Sequence, residues 1–273
     1  MTSPLGFFSL LQDRWRDADS LLCVGLDPDV EKLPAAVRNQ PASIAKFCVD
    51  IVDATAEFAC AFKPQIAYFA AAGAEQQLEA VCEHIRTQHP TIPIILDAKR
   101  GDIGDTARMY AREAFERYGA HAVTVNPYMG GDTLAPYQEF EGRGIVVLCR
   151  TSNPGSGEFQ SRSIDGEPLY KHVARRAADE WSKRGEVALV VGATYPTELA
   201  EVRAIVGDMP LLVPGVGAQG GDPVDVVKNG ADSRRAGLIV NSSRAILYAD
   251  PDNHVGGAAR VARDTRDALN SAR

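Results

Sequence analysis

Eight short apolar runs recur along this chain, each followed by a longer stretch with helix-like spacing. That alternation restricts the fold more than any other feature. The runs are Leu21–Leu26, Cys60–Phe62, Ile92–Leu96, Ala122–Val125, Ile145–Cys149, Val187–Val191, Leu211–Val213 and Leu238–Val240. Their length and β-branched content suit buried parallel strands. Between them, segments such as Ile44–Phe58, Ala74–Arg86, Thr106–Tyr118 and Val173–Arg184 have apolar residues at helical spacing. Eight β-then-α units in 273 residues predict an α/β chain with one domain over 1–273, a (β/α)8 TIM barrel. A short amphipathic helix is expected at the start, over Met1–Leu11, where Gln12-Asp13-Arg14 ends the apolar stretch.

The polar residues at the strand ends point to where chemistry would sit. Several strands end in X-Pro: Asp27-Pro28, Lys63-Pro64, Asn126-Pro127 and Val213-Pro214. Proline keeps the preceding residue extended and halts the ladder. Asp27, Lys63 and Asn126 are therefore expected at the C-terminal rim, the face on which such barrels carry their active sites. The third run leads into Asp97-Ala98-Lys99-Arg100-Gly101-Asp102-Ile103-Gly104-Asp105-Thr106. Side chains two apart on a strand share a face, so Asp97 and Lys99 are expected side by side. Asp102 lies past the Gly101 break, on a different element. Charges at the rim of an apolar strand cost desolvation, so each needs a partner or a task.

After the seventh run comes Pro214-Gly215-Val216-Gly217-Ala218-Gln219-Gly220-Gly221-Asp222. Gly215, Gly217 and Gly220 formally match G-x-G-x-x-G, but the match comes late in the chain. No full Rossmann repeat with a ribose-binding acid follows, so a dinucleotide site is rejected. The glycines still let backbone N–H groups approach an anion. The eighth run ends Asn241-Ser242-Ser243-Arg244 at the start of a helical segment. Together these make a phosphate cup, at the usual place in this fold.

Composition narrows the partners. A net charge of −7 disfavours nucleic acid and anionic membranes. No apolar run approaches the ~20 residues needed to span a bilayer. The five cysteines are scattered and include no C-x-x-C pair, which suits core positions and a reducing cytoplasm. The five histidines show no metal-ligand spacing and are read as surface or loop residues, with His121 near the fourth strand; no metal is implied. Asp105 is read as a helix-start residue, and Trp15 and Trp181 as packing groups. The stretch Ser156 to Leu169 is an enlarged loop after the fifth strand.

These residues resemble the orotidine 5′-phosphate decarboxylase family, in its longer bacterial type, from Leu26-Asp27-Pro28 to Arg244. Its strongest motif here is Asp97-x-Lys99-x-x-Asp102-Ile103-x-x-Thr106. Phe62-Lys63-Pro64, Thr151-Ser152-Asn153-Pro154-Gly155 and Pro214–Asp222 follow in the family's order. The resemblance implies cofactor-free decarboxylation of orotidine 5′-monophosphate to uridine 5′-monophosphate. Lys63, Asp97, Lys99 and Asp102 would form an alternating charged array. Lys99 would protonate pyrimidine C6, Asp97 would face the scissile carboxylate, and Lys63 would hold the array and touch the ribose. Asp102 and Thr106 would complete the site of a neighbouring subunit in a homodimer. Asp27 would bind a ribose hydroxyl, Ser152 the pyrimidine amide, and Gln219 with Arg244 the 5′-phosphate. One departure is Ser243-Arg244, where many relatives carry Gly-Arg.

Two other readings share part of this pattern. Magnesium-dependent sugar-phosphate decarboxylases and hexulose-phosphate synthases of the same superfamily share an Asp-x-Lys-x-x-Asp core. They place an acidic metal ligand on the second strand, where this chain has Lys63, whose ammonium would oppose a cation. A non-catalytic phosphate-binding barrel would tolerate loss of the charged array, which is intact here.

Overall fold

The computed structural model describes residues 6–216 and 221–273. Eight parallel strands form the barrel: β1 (Leu22–Leu26), β2 (Ala61–Pro64), β3 (Ile95–Arg100), β4 (Ala122–Val125), β5 (Gly144–Arg150), β6 (Glu186–Val191), β7 (Leu211–Pro214) and β8 (Leu238–Ser242). Hydrogen-bonded neighbours run β2-β1-β8-β7-β6-β5-β4-β3. Parallel bridges Phe62↔Ile94 and Gln65↔Asp97 join β2 to β3 and close the ring. The expected TIM barrel is the observed one.

The strands read as continuous apolar runs because both of their faces are covered; every residue of β1, β2, β4 and β8 is buried. The longer helices are α1 (Phe7–Asp17), α2 (Ser43–Thr55), α3 (Glu75–Gln88), α4 (Gly104–Arg112), α5 (Leu169–Asp179), α6 (Pro196–Val206), α7 (Pro223–Gly230) and α8 (His254–Ser271). Each lays one stripe on the barrel. In α3 that stripe is Leu78, Val81, Cys82 and Ile85, at the spacing that puts side chains on one face. Each such side chain contributes roughly 1.5–3 kcal/mol when fully buried.

α1 lies across the N-terminal ends of the strands. Phe7 N–H donates to Gly142 O, and Trp15 Nε1 donates to Leu238 O at 2.9 Å. Arg14 donates to the carbonyls of Ala56 and Ala59. The helix begins at Phe7 and runs to Asp17, later than the sequence suggested; Met1–Leu5 lie outside the described residues. With that end closed, the opposite rim is left for ligands.

Two strand boundaries also differ from expectation. Pro64 and Pro214 are the last residues of β2 and β7, in register with Leu26 and Asn241, rather than the residues that follow them. β3 starts at Ile95 and runs on to Arg100 through a register shift between Leu96 and Arg100. After α4, the chain continues as one π-helical segment, Glu113–Arg117. Among the described residues, no helix is long and apolar enough to cross a membrane.

Candidate active site

The charged residues meet at the C-terminal ends of β1, β2 and β3. Lys63 Nζ lies 2.8 Å from Asp97 Oδ2, and Lys99 Nζ lies 2.6 Å from Asp97 Oδ1. Asp27 Oδ1 stands 4.0 Å from Lys63 Nζ. The result is a chain of alternating charge, Asp27–Lys63–Asp97–Lys99. Lys63 and Asp97 are buried, whereas Lys99 keeps about half its side chain in solvent.

Burial alone would push the Asp97 carboxyl up. The ammonium groups of Lys63 and Lys99 outweigh it and hold the carboxyl well below its usual range. For Lys63, burial would lower the ammonium, but Asp97 and Asp27 raise it above its ordinary value. Both groups are charged at neutral pH.

Lys99 reaches Asp97 by a different route from simple strand alternation. It lies in the left-handed region, with φ of 47°, at the register shift in β3. That conformation costs a non-glycine residue about 1–3 kcal/mol. Thr124 of β4 supports it: its Oγ1 accepts from the N–H groups of Ala98 and Lys99, each at 2.9 Å, and donates to Asp97 Oδ1 at 3.0 Å. Thr124 carries no motif that marks it as a site residue. Its signal was available, since it is the one polar residue in the Ala122–Val125 run.

A cavity of about 400 Å³ opens beside this chain. Asp27, Lys63, Asp97, Gly215, Val216, Ser243 and Arg244 line it. Gln65, Tyr68 and Asn241 also line it and were not singled out by sequence. Two buried oxygens, Asp27 Oδ1 and Asn241 Oδ1, lack hydrogen-bond partners. Unsatisfied acceptors in a cavity suit a hydroxyl-bearing ligand. Gly25 makes the room: a Cβ there would overlap Ser243 Oγ and approach Asn241 Oδ1 to 3.0 Å. Arg244 is exposed at the start of the Arg244–Leu247 turn, and Gly215 adopts φ of 103°. Gln219 lies outside the described residues.

Other expected site residues stand apart from this array. Asp102 accepts from Ile103 N–H at 2.8 Å, and Thr106 is exposed on α4. Asn126 is at the rim but turns to its own loop, accepting from Tyr128 N–H at 3.0 Å. Ser152, after β5, packs across Gly192, where a Cβ would come within 2.8 Å of its own Cβ. The enlarged loop is tied down by Arg150, which donates to Ser156 and Glu198 and stacks 4.1 Å over the Tyr195 ring. Gln160 bridges back to Thr151 N–H and Oγ1, and Ser163–Ile164 pairs with Glu167–Pro168. All five cysteines are buried and free. Asp105 is exposed near the start of α4, paired with Arg108.

A (β/α)8 barrel with buried fixed charges beside a glycine- and arginine-edged cavity defines an enzyme class that handles small anionic substrates. The chain belongs to the Orotidine 5′-phosphate decarboxylase / HUMPS family, whose model matches residues 20–259. It is 59% identical over 265 residues to an orotidine 5′-phosphate decarboxylase of Janthinobacterium sp. (strain Marseille), covering 97% of this chain and 98% of the relative. It is 58% identical over 266 residues to the corresponding protein of Aromatoleum aromaticum, covering 97% and 98%. Among solved structures, the OMP decarboxylase of Leishmania donovani superposes with a TM-score of 0.81 at 38% identity, covering 96% of this chain and 99% of that one. The UMP synthase of the same organism gives 0.88 at 39% identity, covering 98% of this chain but only 56% of that longer one.

Proposed function

We propose that this chain decarboxylates orotidine 5′-monophosphate to uridine 5′-monophosphate and CO2, the last step of de novo UMP synthesis, without a cofactor. The observation that carries the reading is the ion chain Lys63–Asp97–Lys99 at the barrel mouth. Breaking the C6–carboxylate bond leaves an electron pair on C6 with no carbonyl to delocalise it. A cation fixed beside that carbon stabilises the developing charge, and fixed dipoles or charges of this kind are worth about 3 kcal/mol each in enzymes. Lys99 is the cation and the acid: its ammonium gives a proton to C6 and becomes a neutral amine as CO2 departs. Asp97 faces the departing carboxylate and holds both lysines in place. Lys63 holds Asp97 and reaches the ribose.

The rest of the substrate follows from the cavity. Asp27, whose Oδ1 accepts no hydrogen bond, takes a ribose hydroxyl. Arg244 and the Gly215 turn, with Gln219, take the 5′-phosphate, and Ser152 the pyrimidine amide. The family's other branch uses a divalent cation at the second strand. Here the Lys63 ammonium, 2.8 Å from Asp97 and 4.0 Å from Asp27, fills that place, which favours the decarboxylase reading.

The working unit is a homodimer in which Asp102 and Thr106 complete the neighbouring site. Both stand away from their own array. Beside them, Ile103, Met109, Tyr128 and Met129 are exposed apolar side chains, with Tyr128 83% accessible. A cytoplasmic setting belongs to the same proposal, supported by five unpaired buried thiols and a nucleotide substrate. The test is loss of the ultraviolet absorbance of orotidine monophosphate in excess EDTA, with uridine monophosphate identified chromatographically. Turnover supports the reading. Folded protein that turns over only a sugar phosphate with magnesium would overturn it.

A further inference from the structure

At the far end of the barrel from the ion chain, two histidines and an aspartate converge on one point. Asp53 sits near the C-terminal end of α2, and His84 lies in α3. His89 is the residue that caps α3, just before Pro90. Asp53 Oδ1 is 2.7 Å from His84 Nε2 and 2.8 Å from His89 Nε2, and all three donor atoms lie within 4.8 Å of one another. The rings meet nearly edge to face, with centroids 5.9 Å apart.

Three features suit a metal ion. Among the described residues, Asp53 is paired with no lysine or arginine, so its charge is met only by the two imidazoles. Both imidazoles are partly buried, and their backbones are fixed: His89 N–H donates to Ile85 O, and Ile92 N–H donates to His89 O. The donors come from two separate helices, so an ion would join α2 to α3. Two imidazole nitrogens and one carboxylate oxygen, with a solvent-facing fourth position, match Zn²⁺, Co²⁺ or Ni²⁺ rather than Mg²⁺ or Ca²⁺. Ligand atoms about 2.0–2.1 Å from a tetrahedral ion stand roughly 3.3 Å apart. The half-exposed Asp53 carboxylate has to withdraw by only about half an ångström to accept it.

We infer that Asp53, His84 and His89 form a divalent transition-metal site that staples α2 to α3. α2 leads into β2 and α3 into β3, so the site lies at the strands' N-terminal end, away from Lys63 and Asp97. An ion here stiffens the scaffold and takes no part in turnover. The test uses the full-length protein stripped by chelation. Co²⁺ is titrated by its visible absorption and Zn²⁺ by calorimetry, for the wild type and for His84→Gln/His89→Gln. The expected result is one equivalent of ion bound by the wild type. At a hundredfold excess of Zn²⁺ over Kd, Tm rises by roughly 5 °C. The double variant binds at least tenfold more weakly, keeps its helical circular dichroism and turns over normally. No stoichiometric ion at tens of micromolar, or binding unchanged in the double variant, would show a hydrogen-bonded His–Asp–His cluster only and overturn the inference.

Discussion

Thr124 Oγ1 donates to Asp97 Oδ1 at 3.0 Å while accepting the two successive N–H groups, of Ala98 and Lys99, that set the bend in β3. One hydroxyl thus orients the central carboxylate and fixes the backbone of its neighbouring lysine. Thr124→Val removes the donor to Asp97 and the acceptor of two partly buried N–H groups, at a cost of about 1–3 kcal/mol. Turnover should fall by roughly ten- to a hundredfold as Lys99 shifts. Thr124→Ser should recover most of both, read by thermal melts and steady-state rates. Equal rates for Val and Ser would show that the hydroxyl has no positioning role.

Arg244 lines the same cavity as Asp27 and Lys63 but belongs to no ion pair among the described residues. Its guanidinium is therefore available to an anion. Arg244→Ala should lower kcat/KM by about ten- to a hundredfold, mostly through KM, as loss of one charge-assisted contact implies. Fold stability should change little, because the side chain is exposed. An unchanged KM would remove Arg244 from the phosphate site.

His121 makes stability depend on pH. Its Nδ1 accepts from Ile94 N–H at 3.0 Å, and burial, helped by Arg143 and Arg86, lowers its pKa to about 4. Between pH 6.5 and 4 the unfolded chain takes up a proton that the folded chain refuses. Stability therefore falls as pH drops through that window, by about 3 kcal/mol from this residue. His121→Asn keeps an acceptor and does not titrate. Its melting temperature should fall less steeply than the wild type's over the same range; parallel curves would exclude His121 as the source.

The shared site has its own test. Lys99→Ala and Asp102→Ala homodimers should each be inactive. A verified mixed dimer of the two has one intact site, so it should recover turnover. A mixed dimer with no activity would count against a site completed by the neighbour.

Much of this was legible in the sequence, and the limits have physical causes. Eight apolar runs revealed the barrel because parallel strands buried on both faces must be apolar throughout. The X-Pro steps located the rim to within a residue or two, although Pro64 and Pro214 close their strands instead of following them. Lys99 beside Asp97 was expected from two-residue alternation. The contact exists, but through a left-handed bend that periodicity cannot show. Asn126 was placed correctly at the rim, yet a local turn takes its side chain. Gly25, Ser243 and Asn241 meet only because β1 and β8 are paired, a relationship between the two ends of the chain. The same holds for Asp53, His84 and His89. The histidines were read as surface residues without ligand spacing, because their common partner lies 31 residues upstream of His84, on another helix.

The central claim is that the ammonium of Lys99 supplies the proton to C6. The most direct measurement compares Lys99→Ala with the wild type for single-turnover decarboxylation of orotidine monophosphate, alongside calorimetric binding of uridine monophosphate. Loss of turnover by many orders of magnitude with nucleotide binding retained is the predicted result. A variant that still decarboxylates at a near-normal rate would contradict the assignment.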